Sequence, residues 1–325
     1  MSDLTATAWL AAARSVHFGA CLLLFAVWFF DRFIAAPVDV PGAARTSGDL
    51  LAGRRTIARR LALLALPAAL ASGVLWFVIV AAEMGDLPLA QALDRGVLGT
   101  VWSKTHLGSV SKFRLICWLG ACIGTPPALY LRPGSFLCGV SNWVALIASA
   151  LLLGSLAWVG HGQIGPQVGF HLAIDTIHLL GAGCWPAGLL PFSLLFSRWK
   201  RMDKTVSWGV LADLTHRFSA MSLACVMLLG ITGLANAWLL LGGVSDLWTT
   251  PYGRWLLLKI ALFGAMAGLG AINLLYCRPR IAGDSTRTAA TGVLEFNVKL
   301  EIALTTLVIV VVAILGVLPP GSHPG

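Results

Sequence analysis

Charge is what this chain has least of. Asp, Glu, Lys and Arg together make up 11% of its 325 residues, where a soluble globular domain carries roughly a quarter. That shortage, with the apolar content that replaces it, excludes a soluble enzyme with one large core and a disordered chain. Methionine is also scarce, at six, too few for a thioether-rich metal store. The seven cysteines are an odd number with no C-x2-C pair, which excludes a secreted disulfide scaffold. Most of them sit inside apolar runs, as small buried hydrophobes do. No nucleophile constellation, phosphate-cradling loop or metalloprotease motif occurs, and the glycine-rich stretches lie inside helical runs rather than after strands. An enzyme is not expected.

What is present is apolar. Hydrophobic types make up 58% of the chain, with thirteen Trp, thirty-five Gly and a mean hydropathy of +0.83. This is the composition of an integral membrane protein. Crossing the hydrocarbon takes about 20 apolar residues. Eight runs qualify, at 9–30, 61–82, 114–131, 138–160, 171–196, 218–242, 254–276 and 301–318. Runs of this length in a bilayer are helices, so the expected fold is all-α with eight transmembrane helices. The first run is long for a signal peptide, follows Asp3 and lacks a small-residue cleavage site, so it reads as a helix.

The formal net charge of +9 follows topology rather than nucleic-acid contact. Arg32, Arg45, Arg54, Arg55, Arg59 and Arg60 fall between the first two runs. Arg198, Lys200, Arg201, Lys204 and Arg217 fall between the fifth and sixth, and Arg278, Arg280, Arg287 and Lys299 between the last two. The alternate connections are poorer, and 161–175 has no Lys or Arg at all. The positive-inside rule therefore puts both termini outside the cytoplasm. The expected surroundings are membrane lipid, with no nucleic-acid partner.

The halves resemble each other at an offset of about 160 residues, shortened to 145 in the Thr-x2-Gly match. Val16-His17-Phe18-Gly19-Ala20 answers Ile177-His178-Leu179-Leu180-Gly181-Ala182, and Ser72-Gly73 answers Thr232-Gly233. Thr105-x2-Gly108-x5-Arg114 answers Thr250-x2-Gly253-x5-Lys259, and His161 after the fourth run answers His323 after the eighth. The reading is two parallel four-helix units, 1–160 and 161–325. Paired repeats in membrane transporters place sites between the halves.

Six of the seven histidines fall on or near the outer face: His17, His106, His161, His171, His178 and His323. His171, Asp175 and His178 share one stripe of the fifth helix at i, i+4 and i+7. Imidazole and carboxylate suit copper, zinc and related divalent ions, and Asp175 could instead orient a ligating imidazole. Arg14, Arg114 and Lys259 are embedded cations with two readings: snorkelling to the interface, or pairing with Asp175, Glu83 or an anionic group. Glu301 reads as opening the eighth helix on the cytoplasmic side, with two readings: a polar anchor or an exit-side site.

The order of these features resembles the CopD/PcoD copper-resistance membrane protein family. The matching residues are Arg14-x2-His17, His161, Asp175-x2-His178, Trp185-x2-Gly188-Leu189, Arg217-Phe218-Ser219, Thr232-Gly233, Tyr252-Gly253-Arg254 with Lys259, Glu301 and Pro319-Pro320-Gly321. The resemblance covers nearly the whole chain. It implies a bacterial inner-membrane copper homeostasis protein that moves copper toward the cytoplasm and works with a separate periplasmic copper carrier of the CopC type. The chain departs at Cys184-Trp185-Pro186-Ala187-Gly188, where the family usually has an apolar residue followed by Gly; this proline should kink the fifth helix below His178. The expectation is a copper site on the outer side, with His178 and His17 as a core pair in one pocket and His161 and Asp175 adjoining; His171 and His106 are outlying candidates. Copper would be conducted between the halves. The alternative is a haem-binding electron-transfer protein using paired transmembrane histidines, with Arg or Lys meeting the propionates.

Overall fold

The computed structural model describes residues 3–35, 44–132, 134–160, 167–201, 204–283 and 286–320. Among them all regular structure is helical, and eight helices are long and apolar enough to cross a membrane. These are α1 (Thr7–Ala35), α2 (Gly53–Gly85), α3 (His106–Tyr130), α4 (Phe136–Val159), α5 (Val168–Trp199), α6 (Trp208–Leu240), α7 (Pro251–Ala282) and α8 (Arg287–Leu315). Each overlaps one of the runs expected from sequence, some runs ending one to three residues past the helix, and several helices begin earlier. α3 starts eight residues before 114 and α8 fourteen before 301, because a helix continues through polar turns that a hydropathy run leaves out. Glu301 is therefore the central residue of α8 rather than its opening one, which corrects the sequence reading.

Much of each helix surface is apolar and exposed, as at Leu64, Ile116, Ile123 and Leu234. Such side chains face lipid, where no hydrophobic force draws helices together and small residues set how closely they approach. A Cβ at Gly124 of α3 would stand 2.7 Å from the backbone nitrogen of Ala145 in α4, and one at Gly120 would stand 3.2 Å from the Ala148 methyl. α1 and α5 meet through Gly183, whose absent Cβ would run into the Phe25 ring.

The buried apolar side chains form two large clusters. One comes from α1–α4; the other comes from α5–α8 together with Phe30 and Ile34 at the end of α1. α1 packs on both α5 and α8, which joins the two sets. Pro186 does interrupt α5: the helix runs Val168–Cys184, turns, and resumes at Leu189–Trp199, since proline has no N–H to donate.

One end of the bundle is charged and internally paired. Arg54 meets Asp31 at 2.8 Å, Arg217 meets Asp213 at 2.9 Å, and Glu295 is shared by Lys200 at 2.6 Å and Lys299 at 2.8 Å. This is the end where α1, α5 and α7 finish, the Arg- and Lys-rich side of the sequence.

Candidate functional site

His17 and His178 each lie ten residues into their spans, about 15 Å along the helix at 1.5 Å per residue. His17 Nδ1 is 3.0 Å from Ser72 Oγ, and His178 Nδ1 is 2.8 Å from Thr232 Oγ1. Each hydroxyl spends its single proton on its own helix: Ser72 donates to Ala68 O, and Thr232 donates to Leu228 O at 2.7 Å. The hydroxyl oxygen must then accept from the imidazole. This assigns the proton to Nδ1 in both rings and leaves the lone pair on Nε2. The glycine after each hydroxyl gives the ring room. A Cβ at Gly73 would stand 3.0 Å from His17 Cε1, and one at Gly233 would stand 3.5 Å from His178 Cε1.

The cations arrive by a second shared device. Thr105 caps α3 by accepting from Gly108 N at 3.1 Å, and Thr250 caps α7 by accepting from Gly253 N at 2.9 Å. Both hydroxyls donate back to the preceding turn, to Val101 O and Asp246 O, each at 2.7 Å. Side chains at Gly108 and Gly253 would collide with that turn's backbone. The Thr-x2-Gly spacing is thus a capped helix start under a close-packed turn, and it brings a cation two turns in: Arg114 beside His17, Lys259 beside His178.

The surroundings of the two rings then diverge. Arg114 donates to His17 Nε2, with Cys21 Sγ 3.5 Å from the same nitrogen. Arg14, one turn before His17, is also buried, its guanidinium 4.8 Å from the Trp76 ring centre and against the Gly316 backbone at the end of α8; Arg114 lies 5.2 Å from the same ring. His17 therefore sits between two guanidiniums. The position three before His178 is Asp175 instead. Its Oδ1 accepts from Asn236 Nδ2 at 2.5 Å, His171 Nε2 lies 3.9 Å from Oδ2, and Lys259 is within its electrostatic reach. His178 Nε2 has no hydrogen-bond partner among the described residues.

The two imidazoles do not share a pocket, contrary to the sequence expectation. His17 lines a cavity of about 200 Å³ with Gly73, Trp102, Arg114 and Trp118. His178 lines one of about 380 Å³ with Gly233, Lys259, Phe263, Met266 and Thr305. α1 and α5 are neighbours, but each ring turns back toward its own half, where its hydroxyl partner stands. Among the described residues no three His, Cys, Asp or Glu side chains converge as a metal-ligand group. His106 is exposed at the start of α3, and His171 is buried within α5. His161 and His323 lie outside the described residues. Asn236 escapes a sequence reading, although it stands one turn beyond Thr232 on the same stripe.

Eight spans with ionisable side chains held inside them define a multi-pass helical membrane protein with polar interior sites. The chain belongs to the copper resistance protein D family. The family model for copper resistance protein D matches residues 212–315, and that for the copper resistance protein D-like N-terminal domain matches 1–169. It is 26% identical over 322 residues to copper resistance protein D of Pseudomonas syringae pv. tomato, covering 97% of both chains. It is 31% identical over 235 residues to the copper transport protein CutJ of Bacillus subtilis, covering 72% of this chain and 40% of that one. Inner membrane protein YebZ of Escherichia coli is 26% identical over 327 residues, covering 95% of this chain and 97% of the relative. No solved structure matches the chain.

Proposed function

We propose that this chain is a copper-transporting protein of the bacterial inner membrane, built as two four-helix units, 1–160 and 161–325. It receives copper on the extracytoplasmic side and passes it toward the cytoplasm. The receiving group is His178, and the observation that carries this is the charge difference between the two halves. A cation approaching His17 meets Arg14 and Arg114 with only Glu83 near enough to offset one of them, whereas one approaching His178 meets the single cation Lys259 with Asp175 within electrostatic reach. His178 also presents an Nε2 with its lone pair available, while His17 Nε2 is taken by Arg114. Imidazole nitrogen suits copper in either oxidation state, and Asp175 supports the site through charge rather than by direct ligation. His161 joins α5 to the preceding unit in sequence and is a further candidate ligand, as is His171. His106 and His17 are assigned to the periphery and to the scaffold. Delivery by a periplasmic carrier of the CopC type fits a site on that face.

The haem reading loses its main support, because His17 and His178 line different cavities and so do not offer two axial ligands to one iron. An absorption spectrum of the pure protein without a Soret band is the corresponding expectation.

The test is copper content of the purified protein by elemental analysis, for the wild type, His178→Ala and His17→Ala. Copper should be lost in His178→Ala and kept in His17→Ala. Unchanged copper in His178→Ala would remove this site.

A further inference from the structure

A second cavity lies next to that of His178, between α5, α6, α7 and α8, with a volume of about 190 Å³. Three side-chain oxygens lining it have no partner among the described residues: Glu301 Oε1, Thr215 Oγ1 and Ser222 Oγ. Glu301 is 1% exposed. Its Oε2 accepts from Asn273 Nδ2 at 3.0 Å, and Asn273 Oδ1 accepts from Asn297 Nδ2 at 2.8 Å. This amide chain fixes the carboxyl group and leaves Oε1 aimed into the cavity, where it and the Trp185 indole both border Gly270.

No Lys or Arg pairs with Glu301 among the described residues. On α6, Arg217 and Asp213 pair with each other; on α8, Glu295 is held by Lys299 and Lys200. His178 on α5 and Lys259 on α7 belong to the neighbouring cavity, and Cys277 on α7 meets Asn273 at 3.8 Å. With His216, Arg278 and, on α1, Asp31, none of these lines the Glu301 cavity. A carboxylate buried without a counter-charge is not stable in its ionised form and takes up a proton or a cation. The donors here are oxygens only, which disfavours copper as the occupant. The volume has room for about six waters at roughly 30 Å³ each.

The two cavities are stacked along the same four helices. Met266 and Pro186 line the one, their sequence neighbours Ala267 and Trp185 the other. Trp185 meets Phe263 edge-on at 6.2 Å between them, and Thr305 of the His178 cavity donates to Glu301 O at 2.8 Å. We propose that Glu301 is a proton-binding site on a water-holding cavity, in series with the His178 cavity and separated from it by the Trp185–Phe263 contact. A hydronium transfers its proton to Oε1, forming the O–H bond and leaving one water; the new O–H donates to water or to a hydroxyl oxygen. The path through the protein then runs within the second unit rather than between the units. The site does not depend on which metal His178 takes.

The test is labelling of the purified full-length chain with dicyclohexylcarbodiimide, an apolar reagent that adds to protonated carboxyl groups, read by peptide mass spectrometry. Glu301 should be modified, with labelling falling about tenfold per pH unit above its midpoint, as for any single titrating group. Replacing choline chloride with sodium chloride should leave labelling unchanged. E301Q should lose the adduct while eluting as a monodisperse species, and Glu301→Asp should retain it. No adduct at any pH would overturn the proposal. Protection by Na⁺ at fixed pH would overturn it too, by making the occupant a metal cation. The wild-type profile decides the matter even if the variants fail to fold.

Discussion

A hydroxyl at Nδ1 decides how a buried imidazole behaves, because it fixes which nitrogen carries the proton. Thr232→Val keeps the shape and removes the acceptor, so copper affinity measured by calorimetric titration should fall about 10–100-fold, while Thr232→Ser should retain it. Asp175→Asn should weaken affinity by about the same factor, here because Lys259 loses its balancing charge; an unchanged affinity would contradict the role given to Asp175. His17, His178 and Asp175 are legible in the sequence because ionisable residues stand out in apolar runs. Ser72 and Thr232 show there only as members of a repeated pair, and Asn236 carries no mark beyond its spacing. Which way each ring points is not legible at all. It depends on the placement of the hydroxyl helix, and that separates two histidines which spacing alone suggests should meet.

Helices in this protein are held by small residues and by their capped ends more than by apolar attraction. Gly183→Ala drives a methyl into Phe25 and to 3.0 Å from Leu153, and should destabilise by about 1–3 kcal/mol, the usual cost of overpacking. Gly19→Ala, with nothing within 4 Å of the added carbon, should leave the melting temperature in the same detergent unchanged or slightly raised. Thr250→Ala removes the α7 cap and should cost about 1 kcal/mol. The eight spans are legible because hydrocarbon thickness forces long apolar runs, and the break in α5 is legible from Pro186. Helix ends are less so: α3 and α8 continue through polar turns that satisfy their own backbone, and Glu301, at the edge of its apolar run, is hidden at the middle of its helix.

For the whole molecule the decisive quantity is which end faces the cytoplasm, since both imidazole cavities lie toward one end and the paired charges lie at the other. The Glu301 cavity is intermediate: Glu301 is about 18 Å deeper than His17 if α8 is measured back from Gly316, beside which Arg14 packs, at 1.5 Å per residue. Lys and Arg near helix ends are retained on the cytoplasmic side, and the proposed orientation puts the Lys200–Glu295–Lys299 cluster there. Alkaline phosphatase fused after Asp94 or Ser245 should therefore be active, because those connections lie at the histidine end, and a fusion after Arg201 should be inactive; green fluorescent protein at the same positions should show the reverse. The opposite pattern would put His178 on the cytoplasmic face, where no periplasmic carrier can reach it. Copper would then enter past Glu301 before meeting an imidazole, although Glu301 offers oxygen donors that copper does not favour. The proposed uptake therefore requires the orientation that the charges at the far end predict.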